Sequence, residues 1–418
     1  MRLATETKRV AALLLTVLSG AVVWSQTPQA TQLPGSLFSI QKTWTIGGEG
    51  NWDYLTLDSN ALRLYIPHGP VVQVVDIKEG KIAGQVAGLR DAHSVALDGQ
   101  GQYGYVSDGP ANEVKVFSRS SLSIVAHVAT AKNPRTVVFD PATHLVFAIC
   151  PDTALQSGTP HRTDNTQRDG DPRAVSTVTV IDGDSQKFLG DLVLPGKLGF
   201  AQPDGKGSIY INVTDRDQVV YFRATEIESQ IRRLARQHSE DGARPVKEGD
   251  PAVTSDWSMQ DQGSQPVPSA MHRFRLGQDC RSPKGLAVDP ENHRLFVACD
   301  NMKMIVLNAG DGSTVTSLPI GAGTEAIGYD PGRGLIYSSN GGGVGSLTII
   351  RRSLNDSYAV IQELPTRAQA RTLAVNPDTG EVYLVTNVTG FDLTHNGGIG
   401  GLKTAPVAGS FQVMVVGH

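Results

Sequence analysis

Short apolar runs of strand length, rich in β-branched residues, recur along the chain and predict β-strands, whereas helical periodicity is almost absent. The first run of each repeat ends in Asp or Asn and is followed by a turn and a second apolar run. These first runs are YLTLD (54–58), SVALD (94–98), TVVFD (136–140), FAQPD (200–204), GLAVD (285–289), AIGYD (326–330) and TLAVN (372–376). A third run usually follows, as VQVVD (72–76) does in the first repeat, and a weaker fourth run completes the pattern.

The spacing of these repeats predicts the fold. Successive first runs begin 40, 42, 64, 85, 41 and 46 residues apart, and four strands in about 40 residues is typical of one propeller blade. We therefore predict an all-β protein, a seven-bladed β-propeller with four antiparallel strands per blade. The last repeat lacks a fourth run, so FSIQKTWTI (38–46) is expected to complete the last blade and close the ring.

Composition refines this picture. A length of 418 residues alone would indicate two or three domains, but the repeat replaces them with one ring. The 45 glycines and 23 prolines fit the many turns that a propeller needs. A formal net charge of −4 argues against a nucleic-acid-binding protein, which usually has a basic surplus.

The N-terminus resembles a secretory leader. Basic residues are followed by an apolar core over 10–23, too short to span a membrane, and small residues precede a cleavage point near Gln26. We predict a signal peptide at 1–25, with an uncleaved anchor as the alternative, a linker at 26–37 and the propeller at 38–418. The mature protein is expected to be periplasmic or secreted, without a membrane span.

Three segments interrupt the blade spacing and are predicted to be insertions. Residues 151–174 and 387–409 are polar, rich in Gly and Pro, and leave second strands, as lids or specificity loops would. Residues 225–270 begin with TEIESQIRRLARQ, which predicts an amphipathic helix over 225–237 with Ile227, Ile231 and Leu234 on one face. We expect this helix to pack on its own blade rather than to dock a partner.

The residue before each first run identifies a candidate site. Six of these seven positions are ionisable, and a chain with 19% charged residues would supply far fewer by chance. All seven should ring one mouth of the central channel. The three basic members would bind an anionic or hydroxylated ligand, and the two carboxylates and the histidine would accept hydrogen bonds or transfer protons. The seven are Asp53, His93, Arg135, Gly199, Lys284, Glu325 and Arg371. The alternative is a solvated mouth whose charges neutralise one another.

The ends of the second runs supply a further set of candidates. His68, Asp108 and Asn340 are expected on the same face as the ring and are added to the predicted ligand-binding residues. His68 and His93, with the neighbouring Asp53 and Asp108, are weak candidates for metal ligands, because no metal-binding spacing supports them. We predict no cofactor.

Export bears on the three cysteines, because an oxidising compartment permits disulfides. Cys280 precedes the first strand of the fifth repeat and Cys299 ends its second strand. Both should lie at the same end of adjacent strands, so we predict a Cys280–Cys299 disulfide. Cys150 would remain a buried free thiol.

The repeats resemble the exported YVTN-type, YncE-like β-propeller proteins of bacteria, a family within the WD40/YVTN repeat-like superfamily. The residues that carry the resemblance include LYIPHG (64–69), NPRTVVFDP (133–141), LFVACDN (295–301) and SSNGG (338–342). The resemblance spans about 38–418 and implies the fold, but little about chemistry.

Three functional hypotheses follow. The leading one is a propeller without established catalysis that binds a small polar or anionic ligand, or a protein partner, at the channel mouth, most simply as a monomer. The second is a lactonase-like or hydrolase-like enzyme in which His93 or His68 is the general base and Arg135 or Arg371 stabilises developing negative charge. The third is a protein-interaction scaffold that uses the outer loops and the helical insertion.

Overall fold

The structure, a computed structural model, describes residues 38–151, 174–240, 271–391 and 404–418. These residues form seven four-stranded antiparallel sheets. Strand β1 (Ser39–Thr45) precedes blade 1, which consists of β2 (Thr56–Asp58), β3 (Arg63–His68), β4 (Val71–Asp76) and β5 (Lys81–Val86). Blade 2 contains β6 (Ala92–Leu97), β7 (Tyr103–Asp108), β8 (Glu113–Ser118) and β9 (Ile124–Ala129), with a 3₁₀ turn at Gly109–Ala111. Blade 3 contains β10 (Thr136–Asp140), β11 (Leu145–Cys150), β12 (Val175–Asp182) and β13 (Lys187–Pro195).

The remaining four blades follow the same order. Blade 4 contains β14 (Leu198–Pro203), β15 (Ser208–Val213), β16 (Gln218–Arg223), helix α1 (Ala224–Glu240) and β17 (Met271–Arg275), and a 3₁₀ turn at Gly277–Asp279 follows. Blade 5 contains β18 (Pro283–Asp289), β19 (Arg294–Cys299), β20 (Lys303–Asn308) and β21 (Thr314–Pro319). Blade 6 contains β22 (Thr324–Asp330), β23 (Leu335–Asn340), β24 (Ser346–Arg352) and β25 (Tyr358–Pro365). Blade 7 contains β26 (Leu373–Val375), β27 (Val382–Thr386) and β30 (Gln412–Gly417), with a hairpin of β28 (Thr389–Phe391) and β29 (Thr404–Pro406) between the last two.

Strand β1 is the fourth strand of blade 7, as the sequence predicts. It pairs antiparallel with β30, from Ser39 opposite Gly417 to Thr45 opposite Gln412. The first strands of neighbouring blades contact each other around the whole ring, including β26 with β2. The predicted seven-bladed β-propeller with this closure is therefore confirmed, and the first strands surround the central channel.

Apolar side chains fill the seams between blades. Seven buried clusters are present, one for each pair of neighbouring blades. Each sheet therefore has both faces covered, which explains why its second and third strands are apolar almost without alternation. The Asp or Asn at the end of each first strand has a local structural role, because in every blade its side-chain oxygen accepts backbone N–H groups of the following turn. These residues are Asp58, Asp98, Asp140, Asp204, Asp289, Asp330 and Asn376.

Helix α1 leaves the third strand of blade 4 and runs slightly longer than the predicted 225–237. Ile227 and Ile231 are buried in the cluster between blades 3 and 4. A Cβ on Gly190 of β13 would lie 2.9 Å from Ile231 Cγ2, so the glycine allows the helix to approach the sheet. The described part of the helix thus packs on the propeller.

Candidate functional site

The six ionisable side chains predicted to ring the channel lie at the N-terminal ends of the first strands. In blades 2, 4, 5 and 6 this position falls where the pairing of the first and second strands shifts register. His93, Lys284 and Glu325 lie within these irregularities, and so does Gly199, which brings no side chain. Bulges of this kind redirect side chains and are common beside binding sites. They turn the ring position away from the regular pleat.

Asp53 joins three blades at the mouth. Its Oδ2 lies 3.1 Å from His93 Nδ1 and 3.4 Å from Arg135 Nη2. The Asp53 and His93 side chains are only 12% and 8% exposed, whereas that of Arg135 is 47% exposed. Arg135 therefore has donors left for a ligand, while the Asp53–His93 pair is held within the wall.

A second ion pair lies on blades 6 and 7. Arg371 Nε is 2.8 Å from Glu325 Oε2, and Arg371 Nη2 donates to the carbonyl oxygen of Trp52 at 3.3 Å. The guanidinium carbon also lies 5.8 Å from the centre of the Trp52 ring, within range of a cation–π interaction. Trp52 thus positions Arg371 by two contacts, although the sequence did not single it out.

The two groups and Lys284 act on one another electrostatically. Burial raises the pKa of Glu325; the Asp53 carboxylate raises it further, and Arg371, Lys284 and Arg135 oppose the rise. Lys284 therefore belongs to the same charged surface. Within the described ranges, its ammonium has no carboxylate within ion-pairing distance. The ring thus carries three permanent cations against two carboxylates.

Two aromatic rings meet just below the charged ring. Tyr54 follows Asp53 in blade 1 and Phe200 follows Gly199 in blade 4, and their ring centroids are 4.6 Å apart. Blades 1 and 4 are separated by at least two blades in either direction, so this contact spans the channel. Burial raises the pKa of the Tyr54 phenol, as do the Asp53 and Glu325 carboxylates, while Arg135 and Arg371 lower it. The aromatic pair forms a floor beneath the charges.

The second-strand candidates have their polar atoms engaged elsewhere. His68 Nδ1 lies 3.0 Å from Gln73 Oε1 and Nε2 lies 3.2 Å from the Gly50 carbonyl oxygen, and burial lowers the pKa of the imidazole. The fully buried Asp108 accepts the backbone N–H groups of Arg90 and Asp91.

Side-chain partners also hold Asp108 and Asn340 in place. Lys115 Nζ lies 2.8 Å from Asp108 Oδ2. Asn340 donates to the hydroxyls of Ser346 and Thr348 and accepts from Ser338. The structure therefore does not bring His68, Asp108 and Asn340 together with the six ring residues in one hydrogen-bonded group, and their role in ligand binding stays a prediction.

Weak metal-ligand candidates and a disulfide were also named from the sequence. Among the described residues, no group of three or more His, Cys, Asp or Glu side chains is placed to hold a metal ion; the prediction that the protein needs no cofactor stays a prediction. Cys280 and Cys299 form a disulfide with their Cα atoms 5.2 Å apart, and Cys150 is a buried free thiol.

The predicted leader (1–25), the linker (26–37) and nearly all of the 151–174 insertion lie outside the described residues, so these predictions stay open. Of the 387–409 insertion, β28 and β29 are described; its middle is not. None of the helices in the described part is long and apolar enough to cross a membrane.

Sequence reasoning missed Trp52, Tyr54 and Phe200. A signal was available for two of them, because Tyr54 and Phe200 directly follow ring positions and are large aromatic residues where the other repeats have Ser94, Thr136, Gly285, Ala326 and Thr372. Their mutual contact depends on which blades face each other across the channel.

Comparison with known proteins identifies the fold alone. No family model matches the chain, and no curated protein matches it. Solved structures do match, and they include WD40-like β-propellers. A chain in the crystal structure of the mitotic checkpoint complex is 12% identical, with a TM-score of 0.59 and 98% of both chains covered. The structure of U3-55K is 7% identical, with a TM-score of 0.60, 88% of this chain and 97% of that chain covered.

Proposed function

We propose that this protein is an exported, YncE-like β-propeller that binds a small anionic molecule at the charged mouth of its channel. The observation that carries the proposal is the cationic excess of the ring. Asp53 and Glu325 each pair with an arginine, and Lys284 is left with no carboxylate partner in the described part of the chain. A carboxylate or similar anion would complete the charge balance.

The floor and the walls limit what would fit. Because Tyr54 and Phe200 touch across the channel, a ligand would enter from the mouth and stop above them. Arg135, whose side chain is 47% exposed, and Lys284 would supply donors to its anionic group. Export is supported by the predicted leader and by the Cys280–Cys299 disulfide, since structural disulfides persist in oxidising compartments.

An NMR titration at physiological salt tests this proposal. The protein is titrated in turn with small carboxylates, hydroxy acids and phosphate. We expect saturable binding of at least one anion to the wild type. Lys284→Gln should weaken it roughly tenfold or more, because a hydrogen bond to a charged group contributes about 1.5–3 kcal/mol. The matched control is Lys303→Gln in the same blade, whose ammonium pairs with the exposed Asp279 at 2.7 Å. Absence of binding throughout the panel, or equal weakening by both variants, would overturn the proposal.

The contact between Asp53 and His93 favours a second candidate, a hydrolase. A carboxylate bonded to one ring nitrogen is the arrangement that orients a histidine base. His93 Nε2 lies 3.8 Å from Asp91 Oδ2, however, so a substrate would have to approach beside a second carboxylate. Hydrolysis of simple lactones or esters by the wild type, lost in His93→Ala and in Asp53→Asn, would establish this activity in place of simple binding. The scaffold hypothesis stays a prediction.

A further inference from the structure

On the face opposite the charged mouth, one position recurs in the seams between blades. It is the residue directly after the third strand, or in blade 6 the last residue of that strand, and its N–H donates to the carbonyl of the residue before the second strand. Arg119 bonds in this way to Gln102, Gly183 to His144 and Arg352 to Gly334. These three residues, in blades 2, 3 and 6, therefore occupy equivalent places.

In two seams this position supplies an arginine that reaches into the preceding blade. Arg119 pairs with Asp58, the strand-end aspartate of blade 1. Arg352 Nη1 lies 3.7 Å from Asp289, the strand-end aspartate of blade 5. Tyr65 lies beside Arg119, and Tyr329, which lies beside Arg352, donates to Asp289 at 2.7 Å. The repeat thus places a guanidinium group beside an aspartate and a tyrosine.

The seam between blades 2 and 3 has the surroundings of this site without the arginine. By strand register, Asp98 corresponds to Asp289, Tyr105 to Phe296, and Phe139 to Tyr329. The equivalent position holds Gly183. In blades 1, 4 and 5 the position is occupied by buried apolar residues, namely Ile77, Ala224 and Ala309.

A cavity of about 120 Å³ lies in this seam. Its walls include Asp98, Tyr103, Tyr105, Phe139, His144 and Asp184. The Tyr105 and Phe139 rings are nearly parallel, with 8° between their planes and centroids 6.2 Å apart. The Tyr105 hydroxyl is turned away from any ligand role, because it donates to the Gly183 carbonyl oxygen at 2.9 Å.

The charge around the cavity is negative. Asp98 pairs with Arg119 at 3.2 Å, but Arg119 is also paired with Asp58. One cation therefore compensates only one of these two negative charges. Asp184, from the turn after Gly183, lies 3.0 Å from His144 and its side chain is 71% exposed. Burial raises the pKa of Tyr105, and the Asp98 and Asp184 carboxylates raise it further.

We propose that the cavity between blades 2 and 3, in a seam equivalent to those that hold Arg119 and Arg352, binds a guanidinium group. A guanidinium group suits these walls better than an ammonium group, since it is flat, stacks on aromatic rings and donates in a fork to carboxylates. A small free guanidino compound and an exposed arginine of a peptide share this chemistry. The site lies on the face opposite the ring and does not depend on the proposed function.

Two pairs of probes test the proposal by NMR titration of the full chain at physiological salt. Ethylguanidinium is compared with ethylammonium, and acetyl-Gly-Arg-Gly-amide with acetyl-Gly-Lys-Gly-amide. We expect the guanidinium member of at least one pair to saturate in the millimolar range, at least about fivefold more tightly than its ammonium counterpart. Tighter binding of the peptide than of ethylguanidinium would identify a peptide arginine as the source, and the reverse order a free compound.

Variants locate the binding. Asp184→Asn removes an exposed carboxylate and Tyr103→Leu removes an aromatic wall, so each should weaken binding at least about fivefold. Asp311→Asn is the matched control, because Asp311 lies on the corresponding turn of blade 5, is exposed and accepts from Ser313. Thermal unfolding of each variant checks that it is folded. The proposal is overturned if neither guanidinium probe saturates, if ammonium probes bind equally well, or if Asp184→Asn binds like Asp311→Asn.

Discussion

Individual residues at the channel mouth show how far sequence reasoning reaches. The position before each first strand could be identified from the repeat, and the structure places Asp53, His93 and Arg135 in one ion-paired group. The pairings themselves could not be predicted, because they depend on bulges and side-chain length. The same holds for His68, since neither the Gln73 side chain nor the Gly50 carbonyl that contacts its ring is identifiable from a pattern.

Cys150 gives a prediction at the scale of one residue. Its side chain is fully buried, and burial raises the pKa of the thiol to about 12. Because the thiolate is the reactive form, we expect iodoacetamide at pH 8 to leave native Cys150 unmodified and to label it in denaturant. Mass spectrometry of the labelled protein provides the measurement. Rapid labelling under native conditions would contradict the burial described here.

The observed strands agree closely with the predicted apolar runs in the middle of each blade and less closely at its edges. The second and third strands match their apolar runs, because burial on both faces demands such runs. The first strands of blades 1 and 7 are only three residues long, β2 and β26, although their repeats are as apolar as the others. In both blades the regular pairing of the first and second strands begins only after the ring position. In blade 1 it begins after Tyr54 as well.

The disulfide in blade 5 ties Cys280, before β18, to the end of β19. It closes a segment with a sequence separation of 19 residues. Replacing both cysteines by serine should lower the free energy of unfolding by about 3 kcal/mol, mainly because the unfolded chain regains conformational freedom. Denaturant unfolding of the oxidised protein and of the double variant measures this difference. An equal stability of the two proteins would show that the bond is not structural.

The seam between blades 5 and 6 should show a pH dependence through Asp356. Burial raises the pKa of Asp356, but hydrogen bonds from Arg294, Tyr358 and Arg352 outweigh that effect, so the pKa lies below its ordinary value of 3.8. The carboxylate therefore stabilises the folded state above about pH 4. This stabilisation is lost as the pH falls from there through the lowered pKa.

Asp356→Asn tests this dependence. At pH 7 it should cost about 1–3 kcal/mol, because Arg294 and Arg352 lose a charged partner. The difference in stability from the wild type should shrink as the pH falls below about 4. Urea unfolding at a series of pH values measures it, with Asp378→Asn as a control in an exposed turn. A difference that stays constant down to pH 2 would contradict this assignment.

The whole molecule depends on closure by β1. Without this strand, the backbone edge of β30 would be unpaired, and exposed edges of this kind promote aggregation. The sequence predicted this closure because the last repeat lacks a fourth run. The contact of Tyr54 with Phe200 was not predictable in the same way, since it requires knowing how seven blades are arranged around an axis.

Removing residues 38–45 tests the closure. A chain that starts after Thr45 should lose cooperative unfolding and aggregate, whereas one that starts at Phe38 should behave like the full chain. Calorimetry combined with light scattering distinguishes the two outcomes. Unchanged melting of the shorter chain would show that β1 is dispensable.

The bond between Trp52 and Arg371 joins residues 319 positions apart, so the complete charged mouth exists only in a closed ring. A molecule that contacts both ion-paired groups would therefore bind the closed ring more tightly than an opened one. By mass action, a ligand at a hundred times its dissociation constant would add about 2.7 kcal/mol to the closed state. Resistance to thermal unfolding would then depend on how much ligand surrounds the protein.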